Sequence, residues 1–315
     1  MAGHVPVLLE EVAGLLAMSA GETYVDCTAG LGGHAARLAR EVGAGGRVVL
    51  NDLDRANLER AEAAVREATA PETPEIVGVH GSFAGLLGEL ERREIRADGV
   101  LADLGFVSLQ VDDASRGFSF QSDAPLDMRY DRTGGVTAAE LVAGLGEREL
   151  ADLIYEYGED RRSRVIARKL VEAREVEPIQ TTGQLARVVR AACGRARGSD
   201  GLDTATRTFQ ALRIAVNDEI GSLHALLASI ERGASRAGEG SLACGARIAV
   251  ISFHSLEDRP VKQAFRRLVE SGRCEDLTRR PVRASQEELF DNPRARSAKL
   301  RAIRLAEGGR GRTPA

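Results

Sequence analysis

The chain has 315 residues, of which 43% are hydrophobic and 29% are charged, with 34 glycines, four cysteines and no tryptophan. This composition excludes general disorder, and no stretch of eighteen uncharged apolar residues is present to cross a bilayer. The N-terminus lacks the basic start of a signal peptide, and the cysteines lie far apart without a CxxC pair. We therefore expect a cytoplasmic protein without disulfides or a metal site.

The net charge of −4 is unevenly distributed along the chain. Residues 261–315 hold 14 Lys+Arg against 7 Asp+Glu, whereas residues 1–260 hold 29 against 40. A basic tail on an acidic body can bind phosphate groups. Arginine dominates over lysine throughout, however, so the charge alone does not separate phosphate binding from a coding bias.

The first hundred residues alternate between strand and helix patterns. Strands are predicted at Thr23–Cys27, Arg47–Asp52, Glu75–His80 and Gly99–Asp103. Helices are predicted between them at Gly33–Val42, Ala56–Ala68 and Phe83–Arg93. Repeats of this length are typical of a parallel sheet that is covered by helices.

Residues 134–197 show only helical periodicity, with Thr137 and Thr181 or Thr182 as candidate N-caps. A long amphipathic stretch follows at Thr206–Arg232, and strand patterns return at Arg247–Phe253 and Lys299–Leu305. The sequence therefore predicts one sheet domain in two parts, residues 1–115 and 206–306. Residues 116–205 are predicted to be a helical insert, and residues 307–315 a flexible tail.

A glycine-rich turn follows the first predicted strand. Gly30, Gly32 and Gly33 precede a predicted helix, and glycines at this place let the backbone approach a ligand. Asp52 ends the second strand 20 residues after Gly32, the distance at which an acidic side chain binds ribose hydroxyls. Both a dinucleotide and S-adenosylmethionine carry such a ribose. The spacing does not match GxGxxG, and Asp26 would repel a pyrophosphate but not a sulfonium, which favours the methyl donor.

Two further side chains follow strands at the edge where such sheets bind ligands. Asp103 closes the fourth strand, and Phe83 follows the third. Asp103 could contribute to the site or be a helix cap or loop carboxylate. Phe83 could stack on an adenine, although packing in a core is the commoner fate of phenylalanine.

Nine segments of the sequence resemble, in order, the motifs of one family. They are HVPVLLEEV, DCTAGLGGHA, DLD, DGVLADLG, RGFSF, PLDMRYD, ATRTFQALRIAVNDE, ISFHSLEDR and NPRARSAKLRAIR. From His4 to about Leu305 the chain resembles the RsmH (MraW) family of S-adenosylmethionine-dependent methyltransferases. The resemblance implies a class I methyltransferase fold, α/β with a mostly parallel sheet and an inserted all-helical domain. It also implies N4-methylation of a cytidine in the P-site decoding centre of 16S ribosomal RNA, with the small ribosomal subunit as partner.

Site residues are implied by carrying the resemblance onto matching positions. The donor site would comprise Gly32, Gly33, His34, Asp52, Phe83, Asp103 and Gln110. Asp103 is also the candidate catalytic residue, which would orient the acceptor amine. The candidate RNA contacts are Arg116, Arg129, Arg207 and His254, together with the basic segment 294–304 and the helical insert. Phe118 or Phe120 could stack on an extruded base, although two phenylalanines in an apolar turn are more often part of a core.

Two stretches depart from the family pattern. The loop after the fourth strand reads DLGFVSLQ instead of DLGVSSPQ, and Asp203-Thr204 stands where the family commonly has His-Pro. Both changes bear on acceptor geometry and rate more than on donor binding. The alternatives are therefore an RNA-binding or assembly factor with weakened catalysis, a methyltransferase with another acceptor, and a dinucleotide-dependent oxidoreductase.

Overall fold

The structure, a computed structural model, describes residues 6–105, 113–194, 201 and 203–307. The chain forms two compact units. The sheet unit comprises Met1–Gly105 and Ile220–Ala315, and the helical unit comprises Phe106–Glu219. A membrane-crossing helix is absent from the described ranges, because none of their helices combines the required length with enough apolar residues.

Seven strands form one sheet in the sheet unit. They are β1 (Thr23–Asp26), β2 (Arg47–Asp52), β3 (Glu75–His80), β4 (Ala97–Asp103), β5 (Leu242–Ser252), β6 (Cys274–Asp276) and β7 (Lys299–Leu305). Their order across the sheet is β3-β2-β1-β4-β5-β7-β6. Strands β1 to β5 are parallel to one another, whereas β7 is antiparallel to both β5 and β6. The predicted mostly parallel sheet is confirmed.

Twelve helices are named here in chain order. They are α1 (Leu9–Leu16), α2 (Gly33–Val42), α3 (Arg55–Thr69), α4 (Leu86–Arg92), α5 (Ala138–Gly144), α6 (Glu147–Gly158), α7 (Ser163–Val176), α8 (Thr182–Cys193), α9 (Thr206–Asn217), α10 (Glu219–Ala234), α11 (Ser255–Glu270) and α12 (Gln286–Asp291).

Helices cover both faces of the sheet. Successive strand residues point to opposite faces, so neighbouring residues of one strand belong to two different apolar clusters. Tyr24 and Leu101 share one buried apolar cluster with side chains of α1, α2 and α3. Val25 and Val100 belong to a second cluster, which α4, α10 and α11 complete on the other face. This three-layer arrangement buries the central parallel strands β1, β2 and β4 on both faces, which is why their sequences read as nearly continuous apolar runs, whereas the edge strand β3 is only partly buried.

The helical unit has its own core, built from α5 to α9. Thr137 and Thr181 cap α5 and α8, as their sequence positions predict. The sequence assigns residues from 206 onward to the sheet domain, but Phe209 and Leu212 of α9 are buried in the helical core. The amphipathic stretch 206–232 is interrupted at Asp218, whose backbone is left-handed with φ 47°, so that α9 and α10 belong to different units.

Asp203, one of the departures from the family pattern, has a structural role in the helical unit. Its carboxylate accepts hydrogen bonds from Arg190 Nη2 at 2.7 Å and from the backbone N–H of Ala205 at 2.9 Å. The first of these bonds connects α8 to the start of α9. Asp203 therefore holds the beginning of α9 in place without the rigid backbone of a proline.

Candidate active site

The ends of β1 and β4 define a crevice at the carboxyl edge of the sheet. β1 and β4 are neighbours, but the chain first visits β2 and β3 on the other side of β1. Such a topological switch point is where open α/β sheets bind ligands. The Asp103 N–H at the end of β4 donates to Thr28 Oγ1, after β1, at 2.7 Å. Thr28 thus fixes the two strand ends relative to each other.

The glycine turn after β1 approaches α3 so closely that only glycine fits. Gly30 and Gly32 have positive φ values of 54° and 81°, and an added Cβ on Gly32 would lie 2.7 Å from Ala61 Cα. Gly33 begins α2, and a Cβ there would collide with the ring of Pro6. The turn therefore presents the first N–H groups of α2 toward the crevice, where they can bind a polar ligand.

Asp52, at the end of β2, holds this turn. Its carboxylate accepts hydrogen bonds from the backbone N–H groups of Gly30 at 2.8 Å and Asp54 at 2.7 Å. An ionised carboxylate has about four acceptor positions, so each oxygen can accept one further hydroxyl. Burial raises the pKa of Asp52 to about 6, and the two backbone hydrogen bonds oppose that rise. The remaining acceptor positions of the carboxylate fit the two hydroxyls of a ribose, which would donate to them.

His34 and Asp103 meet in the same crevice. His34 is 6% exposed, and its Nε2 lies 3.6 Å from Asp103 Oδ2. Within the described residues, both ring nitrogens of His34 and Oδ1 of Asp103 are buried without a hydrogen-bond partner. Buried polar atoms in this condition are rare in folded proteins and mark a place where a ligand completes the hydrogen bonds. The geometry gives His34 a place in the site that its sequence position alone does not indicate.

Asp26 contributes a buried negative charge behind the turn. It is 1% exposed, and it accepts hydrogen bonds from the Tyr24 hydroxyl at 3.0 Å and the Thr28 N–H at 3.1 Å. Burial raises the pKa of Asp26 to about 6, and nearby His34 opposes that rise. A carboxylate here repels a pyrophosphate and attracts a sulfonium cation, which agrees with the charge argument made from the sequence.

The remaining predicted donor residues lie around the β3 edge or outside the described ranges. Phe83 is half-buried after β3 and packs against the apolar cluster that contains Val25, with part of its ring accessible. Asn51 holds the adjoining loop, because its side-chain amide donates to Val79 O and Gly81 O at 2.9 and 3.0 Å. Gln110 lies outside the residues that the structure describes.

The arginines predicted to contact RNA in the helical unit are mostly engaged within it. Arg116 donates to Tyr130 O at 2.8 Å. Arg129 forms a two-point ion pair with Asp127 at 2.7 and 3.0 Å, which lowers the pKa of that carboxyl despite its burial. Arg207 is exposed, and one of its guanidinium nitrogens donates to Glu159 O at 3.0 Å. Of the three, Arg207 presents the most accessible guanidinium.

Phe118 and Phe120 also face the core of the helical unit. Phe118 stacks on Tyr130 with ring centroids 5.5 Å apart, and Phe120 meets Phe209 edge-on at 4.7 Å. The Arg190 guanidinium lies 5.4 Å from the Phe120 ring centre. These contacts match the core interpretation of the two rings.

His254 lies at the carboxyl end of β5, where it precedes α11. Its Nε2 is 3.1 Å from Glu257 Oε1, and Glu257 Oε2 accepts the Phe253 N–H at 2.7 Å. Glu257 therefore fixes the strand-to-helix turn and the imidazole together. Two supporting residues, Thr28 and Asn51, could not be identified from the sequence, because their partners lie on other strands or turns.

The family model and the curated relatives identify one family. The model of the MraW methylase family matches residues 1–306. A relative from Acidobacterium capsulatum, named Ribosomal RNA small subunit methyltransferase H, is 49% identical over 95% of this chain and 97% of its own length. A relative of the same name from Koribacter versatilis is 46% identical over 95% and 93%. A solved SAM-dependent O-methyltransferase from Thermotoga maritima aligns with TM-score 0.42 and 10% identity, over 98% of this chain and 70% of that chain.

The family match agrees with the geometry of the crevice. The sheet order and the helical unit confirm the predicted methyltransferase fold of class I. Asp52 suits a ribose, Asp26 suits a sulfonium, and the predicted cofactor carries both groups. Since the family model covers almost the whole chain, the chain belongs to the MraW methylase family of S-adenosyl-L-methionine-dependent methyltransferases.

Proposed function

We propose that this methyltransferase transfers a methyl group to the exocyclic N4 of a specific cytidine in the P-site decoding centre of 16S ribosomal RNA. The curated relatives are named as small-subunit ribosomal RNA methyltransferases, and they support this class of substrate. A ribosomal substrate also implies a cytoplasmic enzyme. The observation that carries the proposal is the position of Asp103, a carboxylate with an unsatisfied buried oxygen at the switch point beside the glycine turn.

The donor side of the crevice is held by the turn and by β2. S-adenosyl-L-methionine supplies a methyl group that its sulfonium has already activated. Asp52 accepts hydrogen bonds from the ribose hydroxyls, and Gly32 and Gly33 bring the start of α2 close to the donor. Phe83 offers an apolar surface to the adenine.

The acceptor side requires a group that binds and deprotonates an amine. The N4 lone pair of cytosine is delocalised into the ring, so a hydrogen bond from the amine to a carboxylate makes that lone pair more available. Methyl transfer leaves N4 with one proton too many, and Asp103 accepts that proton. His34 is buried beside Asp103 and excludes water from one side of the carboxylate. The cytosine leaves its stack to reach this crevice.

Recognition of the RNA is divided between the two units. The helical unit contributes Arg116, Arg129 and Arg207, which position phosphates, and the sheet unit contributes His254 on the acceptor side. Arg129 is held by Asp127, so a phosphate there meets a guanidinium whose orientation is already fixed.

The proposal is tested by incubating the enzyme with labelled S-adenosylmethionine and either small or large ribosomal subunits from cells that lack the modification. Label in the RNA of the small subunit alone supports the proposal. A protein that binds the donor by calorimetry but labels neither subunit overturns it, and favours an RNA-binding or assembly factor. Label in another RNA or in a protein identifies a different acceptor.

A further inference from the structure

The connection between β6 and β7, residues 277–298, exposes an aromatic ring that the fold does not need there. Phe290 of α12 is 86% exposed, although burial of a phenylalanine is worth about 1.5–3 kcal/mol. The helix that carries it is nevertheless held firmly. Leu289 packs against the cluster that contains Tyr24, and Glu288 accepts the Leu8 N–H at 2.7 Å. The ring is thus presented on an anchored element.

The connection that carries this ring is also rich in exposed basic side chains. The connection holds five arginines against three carboxylates, and all five arginines are exposed: Arg279, Arg280, Arg283, Arg294 and Arg296. Within the described part of the chain, Arg283 and Arg296 have no ion-pair partner, in contrast to Arg129 with its fixed carboxylate. Exposed guanidinium groups and an exposed aromatic ring on one segment are the combination that binds single-stranded nucleic acid, through phosphate contacts and base stacking.

The connection lies at the same edge of the sheet as the donor site. The connection ends at Lys299, which pairs with Ser252, the last residue of β5. Because β5 is parallel to β4, Ser252 lies at the same edge of the sheet as Asp103, the last residue of β4. The connection also reaches the glycine turn, since Glu288 binds Leu8 and Pro6 packs against Gly33. A strand of RNA that delivers a base to the crevice would leave across this surface.

We propose that residues 277–298 bind unpaired RNA next to the target nucleotide, with Phe290 stacking on a base and Arg283 and Arg296 contacting phosphates. This inference rests on the proposed function, because it assumes an RNA acceptor. It adds this connection to the RNA contacts that are proposed for Arg116, Arg129 and Arg207 of the helical unit.

The test is fluorescence anisotropy with a labelled RNA oligonucleotide of the decoding-centre strand, using the full chain. Stacking of a base on an aromatic ring predicts that Phe290→Ala weakens binding by about tenfold. Phe290→Trp should restore it, and Phe290→Leu should not, because leucine keeps the apolar surface without the ring. The Kd for S-adenosylmethionine should stay unchanged in all three variants.

The salt dependence of RNA binding distinguishes the contribution of the arginines from that of the Phe290 ring. The double variant Arg283→Ala/Arg296→Ala should reduce the slope of log Kd against log salt by about 1.4, since each phosphate contact to a single strand contributes about 0.7. Phe290→Ala should leave the slope as in the wild type. The control Arg266→Ala/Arg267→Ala removes the same charge from α11, where Glu270 and Glu231 pair with these arginines, and should change the slope little.

Three results would overturn the inference. They are an unchanged RNA affinity in Phe290→Ala, an equal RNA affinity in Phe290→Leu and Phe290→Trp, and no binding of the oligonucleotide by the wild type. A change in sedimentation of Phe290→Ala would instead show a second copy on this surface. Failure of the proposed function is distinguishable, because RNA binding is measured without methyl transfer. A wild type that binds the oligonucleotide but never methylates RNA contradicts only the proposed function.

Discussion

Gly32→Ala is expected to damage both stability and donor binding. An alanine at φ 81° pays about 1–2 kcal/mol for the left-handed conformation. Its Cβ would lie 2.7 Å from Ala61 Cα and 2.9 Å from Ala61 O, both backbone atoms of α3 that a rotamer change cannot move. Overpacking of this kind costs about 1–3 kcal/mol. Together the two effects predict a loss of about 2–5 kcal/mol in the free energy of unfolding.

The assay is thermal unfolding together with calorimetric titration of S-adenosylmethionine. At about 2 °C per kcal/mol for a chain of this size, Tm should fall by about 4–10 °C. Donor affinity should fall at least tenfold, because the turn that carries the first N–H groups of α2 must move. Gly45→Ala is the matched control, since nothing lies within 4 Å of its Cβ position. A Gly32→Ala variant with the Tm and donor affinity of that control would refute the steric argument.

Three further predictions concern the chemistry of the crevice. Asp103→Asn should lower kcat at saturating donor by at least about 100-fold, the usual contribution of a general base, with Tm within about 2 °C of the wild type. Donor affinity of the wild type should fall at least about tenfold from pH 7 to pH 5, because burial raises the pKa of Asp52 to about 6 and ribose hydroxyls need the ionised form. Asp52→Asn should weaken this dependence, and protonation of Asp26, whose pKa is also raised to about 6, accounts for what remains. His254→Ala should leave the donor Kd intact while lowering turnover in single-turnover assays.

Each of these predictions has a contradicting result. An Asp103→Asn variant that turns over normally would show that another group accepts the proton. A pH dependence that is as steep in Asp52→Asn as in the wild type would assign it to another carboxyl, such as Asp26. Lost donor affinity in His254→Ala would place that side chain on the donor side rather than the acceptor side.

The sheet was predictable from the sequence because its signals are local. Buried parallel strands produce short apolar runs, and the runs at Thr23, Arg47 and Glu75 mark the starts of β1, β2 and β3. The three-residue β6 has no such signal, since only Cys274 in it is buried. The break at Asp218 was missed, because an amphipathic pattern continues through a single left-handed residue.

The donor site was predictable only in part. The roles of Gly32 and Asp52 were predictable from their spacing and from the position of Asp52 at the end of a strand. The structure connects Asp52 to the glycine turn through a hydrogen bond from the Gly30 N–H. The approach of His34 to Asp103 depends on the pairing of β1 with β4, about seventy residues apart in the chain, which no local pattern encodes. The internal pairing of Arg129 was likewise hidden, because a basic residue in the sequence reveals its charge but not its partner.

The most direct test of the central claim is to identify the methylated nucleoside. Small subunits labelled by the enzyme would have their RNA digested to nucleosides and separated with standards. Our account predicts the label in N4-methylcytidine, at one position, and its loss in Asp103→Asn. Label in any other nucleoside, or in N4-methylcytidine at full rate from Asp103→Asn, would contradict the account.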